Sequence, residues 1–188
     1  MDCAHYYARP PRIIDPLTLD QARLDELTYQ DLKHALDPRD LPYTDYAPMI
    51  PYVRYVGTED NILAFFVPSK VEINKWTAFI QFVEWEEQLK DLSLSPVEAA
   101  RLLLWGGNLR VHCPCPAFAF WGHAFVSTEL GIAIHPEIRY PHIRNPDLKG
   151  FACKHLRKII LVLPFHLGDM ASEIKKQRNA ARGSQAPA

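Results

Sequence analysis

Apolar positions along the chain fall into blocks separated by polar and proline-rich breaks. "YVRYV" (52–56), the polar stretch "GTEDN" (57–61) and "ILAFFV" (62–67) predict a β-hairpin. In "KWTAFIQFVEWEE", Trp76, Ala78, Ile80 and Phe82 share one face at period two, with Thr77 and Gln81 on the other, which predicts a third strand. "SPVEAARLLLWGG" carries helix signals at both ends: Ser95 to cap, Pro96 in the first turn, Glu98 three residues after the cap, and Gly106 or Gly107 to stop in the left-handed conformation. "NLRVH" (108–112) then returns as a strand. Near the end, Leu156, Ile159, Ile160 and Leu163 form an apolar stripe, Pro164 breaks or kinks the helix, and a more polar helix is predicted over about 166–180. The last residues, "GSQAPA", read as a tail.

The first 50 residues differ in kind. Pro10, Pro11, Pro16, Pro38, Pro42 and Pro48 punctuate them, and one short helix is predicted between, where Thr18 and Gln21 resemble a capping box and Leu19, Ala22, Leu24 and Leu27 recur at near-helical spacing. The resulting expectation is an α+β fold: an extended N-terminal arm with a short helix (1–50), a small antiparallel sheet within an α+β domain (51–165), and a C-terminal helix and tail (166–188). Tyr6, Tyr7, Tyr43, Tyr46 and Tyr52 make the arm suited to docking on protein partners, as in a symmetric assembly.

Composition narrows the class. With 48% hydrophobic and 23% charged residues the chain is globular, and a net charge of −1 gives it no overall attraction to nucleic acid or anionic membrane. No apolar run approaches the ~20 residues of a membrane helix. The start, "MDCAHYYARPPR", lacks the charged-then-apolar order of a secretory leader. The expectation is a protein made in a reducing cytoplasm, where closely spaced cysteines are more often metal ligands than disulfides.

The chain has 4 cysteines, and "VHCPCPAFAFWG" sets Cys113 and Cys115 one residue apart. A disulfide there would close a tiny strained ring, and alone the pair is equally consistent with inert buried thiols. Downstream, "GFACKHLRKII" repeats the spacing with Cys153 and His155. Three thiolates and an imidazole make a closed structural zinc set. One pair leaves a strand end; the other opens a helix, whose N-terminal dipole favours thiolate. His112, His123, His135, His142 and His166 are the competing imidazoles, and His112 points away from its neighbour Cys113 on a strand.

Cys-x-Cys followed by Cys-x-His, with the flanks "CPCPAF" and "GFACKHL", resembles the SWIM zinc module over roughly 105–163. The resemblance implies a ββα-type zinc unit that binds nucleic acid or protein. The spacer here, residues 116–152, is longer than in familiar SWIM modules and reads as an insertion, which a metal clip tolerates at modest entropic cost. The run from "ILAFFVPSKVE" through "WTAFIQFVEW" and "CPCPAFAFWG" to "RYPHIRNPDLKGFACKHL" also looks like small proteins encoded by tailed bacteriophages, which implies a virion component such as a neck, connector or capsid-associated protein.

Catalysis is not expected. A catalytic zinc keeps an open position, "CPCP" lacks the deaminase spacing, and there is no Gly-rich phosphate loop, nucleophile elbow or His-Glu-x-x-His. No small-molecule substrate is implied. The alternative to a structural or interaction protein is a nucleic-acid-binding module using Arg139, Arg144 and Lys149 on the insertion, with Tyr140 and His142 among them, and Lys154, Arg157 and Lys158 beside the second ligand pair, extended by "KKQR" (175–178). Glu129, Glu137 and Asp147 dilute that patch.

Overall fold

A computed structural model describes residues 27–36, 47–68 and 75–183 of the chain. Four antiparallel strands form one sheet in sequential order: β1 (Arg54–Glu59), β2 (Ile62–Pro68), β3 (Lys75–Phe82) and β4 (Leu109–His112). The fold is α+β, as the pattern predicted. The hairpin is tighter than expected. Glu59 pairs with Ile62, so the turn is Asp60–Asn61 alone, and Asp60 takes a positive φ of 51° that a short polar side chain tolerates. A bulge at Val56, between Tyr55 and Gly57, resets the register and lets pairing run through residues expected in the turn. β3 ends at Phe82, and "VEWEE" is not its continuation. The Val83 amide bonds to the Asn108 carbonyl, and the chain turns into α2 (Trp85–Lys90).

Helix α3 (Pro96–Gly106) carries the expected capping box, with Ser95 Oγ accepting from the Glu98 amide and the Glu98 carboxylate accepting from the Ser95 amide. Its end differs from expectation. Gly107 is extended (φ −77°), not left-handed. Glycine is needed there for space, because a Cβ would lie 2.7 Å from the Leu103 carbonyl oxygen.

One sheet face forms the core. Leu63, Phe65, Val67, Ala78, Ile80 and Phe82 on it are inaccessible to solvent. Of the segment expected as an arm, residues 27–36 and 47–50 are described, and they belong to this core. Helix α1 (Tyr29–Ala35) is capped by Thr28 with Asp31, and Leu27, Tyr29, Leu32, Leu36 and Ile50 are buried. The Thr18–Gln21 pair and the tyrosines at 6, 7, 43 and 46 lie outside the described residues. Helix α6 (Lys154–Val162) turns through a 3-10 segment (Leu163–His166) at Pro164 into α7 (Leu167–Gly183), which packs along α3. Trp85 Nε1 donates to Gln177 Oε1 at 3.0 Å, tying α2 to α7. Among the described residues no helix is long and apolar enough to cross a membrane.

Candidate metal centre

The first ligand pair leaves β4, and β4 is held on both sides. Val111 pairs with Ile80 of β3, and on its other edge its amide donates to Ile132 while its carbonyl accepts from Ile134. Cys113 follows on the core-facing side. Pro114 and Pro116 fix φ around Cys115, which caps helix α4 (Pro116–Phe120) with its sulfur, accepting from the Phe118 amide at 3.4 Å. The second pair comes from α6. Cys153 is its N-cap, and His155 sits in its first turn.

All four side chains are buried, and their ligand atoms lie within 4.8 Å of one another. His155 Nδ1 is 3.8 Å from Cys113 Sγ and 3.9 Å from Cys153 Sγ. A tetrahedral zinc with Zn–S of about 2.3 Å separates its ligand atoms by roughly 3.6–3.8 Å. The spacing therefore fits a small ion between the four atoms. The donor set fits as well: three soft thiolates and one imidazole suit zinc among common divalent ions. His155 would bind through Nδ1. Its Nε2 is buried and finds no hydrogen-bond partner among the described residues.

The three thiols perturb one another strongly. Hydrogen bonds from Cys113 and Cys153 pull the Cys115 thiol far below its ordinary pKa. Cys113 is pushed up by its bond to Cys115, and Cys153 by burial. A divalent ion would let all three ionise.

The spacer is not a passive loop. It forms α4, helix α5 (His123–Glu129) and the Val111–Ala133 parallel bridge, where a ββα unit would place a second strand. Its return is fastened by His123 Nδ1 to the Gly150 carbonyl at 2.7 Å and Ser127 Oγ to the Phe151 carbonyl at 3.1 Å. Gly122 (φ 76°) lets Pro141 pack against it, where a Cβ would lie 2.5 Å from the proline ring. These contacts deliver Cys153 to Cys113. Sequence pattern could not show α5, because Ala124, Phe125, Val126 and Ser127 are all buried and leave no amphipathic period.

None of the competing histidines joins the cluster. His112 turns to the other sheet face, against Phe79, Phe118 and His135, and burial lowers its pKa. The His142 ring lies tilted against Tyr140, and His166 Nδ1 meets Asp169 at 2.8 Å. The basic residues are dispersed. Arg139 bonds Glu137 and draws its carboxyl down to about 2. Arg144 lies over the Trp121 ring at 5.0 Å, and Lys149 is 3.6 Å from Asp147. Lys154 and Lys158 are half-buried on α6, and Arg157 is buried, so it does not extend an exposed patch. Arg178 of "KKQR" is buried too, donating to the carbonyls of Leu94, Gln88 and Asp91.

No family model matches the chain, and no curated protein or solved structure matches it either. The SWIM resemblance therefore rests on the ligand pattern and its flanks.

Proposed function

We propose that this is a non-enzymatic structural or interaction protein whose sheet and C-terminal helices are held together by one structural Zn2+ on Cys113, Cys115, Cys153 and His155. The observation that carries this reading is the convergence of those four ligand atoms, from two distant parts of the chain, within 4.8 Å in the core. Four protein ligands close the shell and leave no position for a reacting water. A structural zinc supplies folding free energy directly. Within that class the resemblance to phage-encoded proteins supports a virion assembly component, made in the host cytoplasm and acting through protein partners. Sedimentation of the chain with assembled particles tests that finer reading.

The metal reading has its own test: zinc per chain in protein purified without added metal, with Cys153→Ser alongside. About one zinc, lost in the variant together with the fold of the C-terminal half, is expected. A well-folded, zinc-free wild type, or a Cys153→Ser protein as stable as wild type, would overturn it.

A further inference from the structure

The second face of the sheet has a different character from the core face. Its positions are read from the strand register. Arg54 is the cross-strand partner of Phe66, Phe79 of His112, and Gln81 of Arg110. Phe66, Phe79 and His112 each keep part of their surface in solvent, whereas their strand neighbours Phe65, Ile80 and Val111 keep none. Rings on this face lie nearly parallel in two sets. Tyr52, half exposed, stacks with Phe66 at 6.4 Å and 21°, and Phe79 with His112 at 6.2 Å and 24°. The Arg54 guanidinium lies 5.0 Å from the Phe66 centroid.

The charge on the face is one-sided. Lys75, opposite Pro68, adds a third cation to Arg54 and Arg110, and among the paired strand residues on this face Glu59 at the hairpin end is the one carboxylate. Among the described residues no ion pair engages Arg54, Lys75 or Arg110. Phe66 and Phe79 are diagonal neighbours on adjacent strands, since Phe66 opposes Thr77. Such positions lie about 7–8 Å apart, within the reach of successive bases of an extended strand.

We propose that this face binds single-stranded nucleic acid, with bases stacked on Phe79 and on the Tyr52–Phe66 pair and phosphates held by Arg54, Lys75 and Arg110. Partly accessible rings beside cations that no ion pair engages among the described residues match the two things a single strand offers, a π-face on every base and a phosphate at every step. A duplex hides its base faces and has no use for the rings. This site is separate from the insertion cations, most of which are paired with carboxylates or buried, and it does not depend on the metal reading.

The test is fluorescence anisotropy on the full chain with labelled oligothymidylate and oligouridylate of about ten nucleotides and a duplex of equal length, over a range of salt. Single strands should bind more tightly than the duplex, and the ratio of the two oligomers tells DNA from RNA. Phe79→Leu should weaken single-strand binding about tenfold or more. Arg54→Ala and Arg110→Ala should each lower the slope of log affinity against log salt by about one. Arg54 is exposed, so its variant keeps the test alive if Phe79→Leu fails to fold. Zinc content is measured on every protein, which separates this outcome from that of the metal centre. No binding of either oligomer at low salt would overturn the proposal, as on a face that takes a protein instead. So would binding that Phe79→Leu and Arg54→Ala leave unchanged, or a duplex bound as tightly as single strands.

Discussion

Two polar groups are sunk in one continuous core, and they are satisfied in opposite ways. At the α3–α7 end, Arg178 reaches from α7 to three backbone carbonyls that α2 and the following loop leave open, at 2.6 to 2.7 Å. A cation on the carbonyl end of a helix is favourable on both hydrogen-bonding and dipole grounds. At the α6 end, the ligand atoms of Cys113, Cys115, Cys153 and His155 lie within 4.8 Å of one another, a spacing that suits an ion between them. The His155 Nδ1–sulfur gaps of 3.8 and 3.9 Å are too long for strong hydrogen bonds and right for shared coordination. One end satisfies its carbonyls from within the chain, though Arg178 Nε finds no partner among the described residues; the other is arranged as a set of ligands for an ion. The stability of the two ends should therefore answer to different variables.

The largest effect should come from the ion. Removing zinc with a chelator, or changing Cys153→Ser, should remove on the order of 5 kcal/mol or more, enough to unfold a marginally stable domain. Near-ultraviolet circular dichroism should lose its tertiary signal in both cases. A chelator that strips zinc without changing the melting temperature would erase the contrast between the two ends.

Arg178→Met should cost about 3 kcal/mol, because it leaves buried carbonyls unsatisfied while keeping most of the side-chain bulk. The loss should be the same with zinc saturated or limiting. Urea unfolding at two zinc concentrations checks this, and a zinc-dependent cost would show that the ends are coupled.

What the sequence revealed follows the same division between local and distant causes. α3 was legible because its start is decided within four residues, Ser95 to Glu98. The core face of β3 was legible because burial on one side imposes period two from Trp76 to Phe82. The ligand set was legible because a Cys-x-Cys and a Cys-x-His are rare enough to find each other on the page. The spacer was not, since α5 is buried on several sides and its return path depends on His123 meeting Gly150 and Gly122 meeting Pro141. Arg157 and Arg178 looked like surface charge because nothing in a basic run says which members turn inward. The second sheet face was overlooked for a related reason: Arg54, Phe66, Phe79 and Arg110 come from four strands, and only the register makes them neighbours.

A smaller effect probes the edge of the Arg178 end. Ser95→Ala removes an exposed cap and should cost about 1 kcal/mol. Leu94, whose carbonyl Arg178 holds, immediately precedes that cap. The double variant with Arg178→Met should therefore lose less than the sum of the two single losses, because the first change already frees the turn that the second would loosen. Strict additivity in a double-mutant cycle would show that the Arg178 contacts and the α3 cap act independently.

The smallest effect marks where the metal end stops. His142 is exposed and lies tilted against Tyr140 on the spacer, well apart in role from the sulfur-facing imidazole of His155. His142→Ala should change stability by no more than about 0.5 kcal/mol, as for most surface substitutions, and should keep about one zinc per chain. His155→Ala should lose the ion. The two histidines thus carry the comparison in its sharpest form, the same side chain as surface ornament and as ligand. Zinc lost from His142→Ala and kept in His155→Ala would move the centre onto the spacer and dissolve the four-ligand cluster as its address.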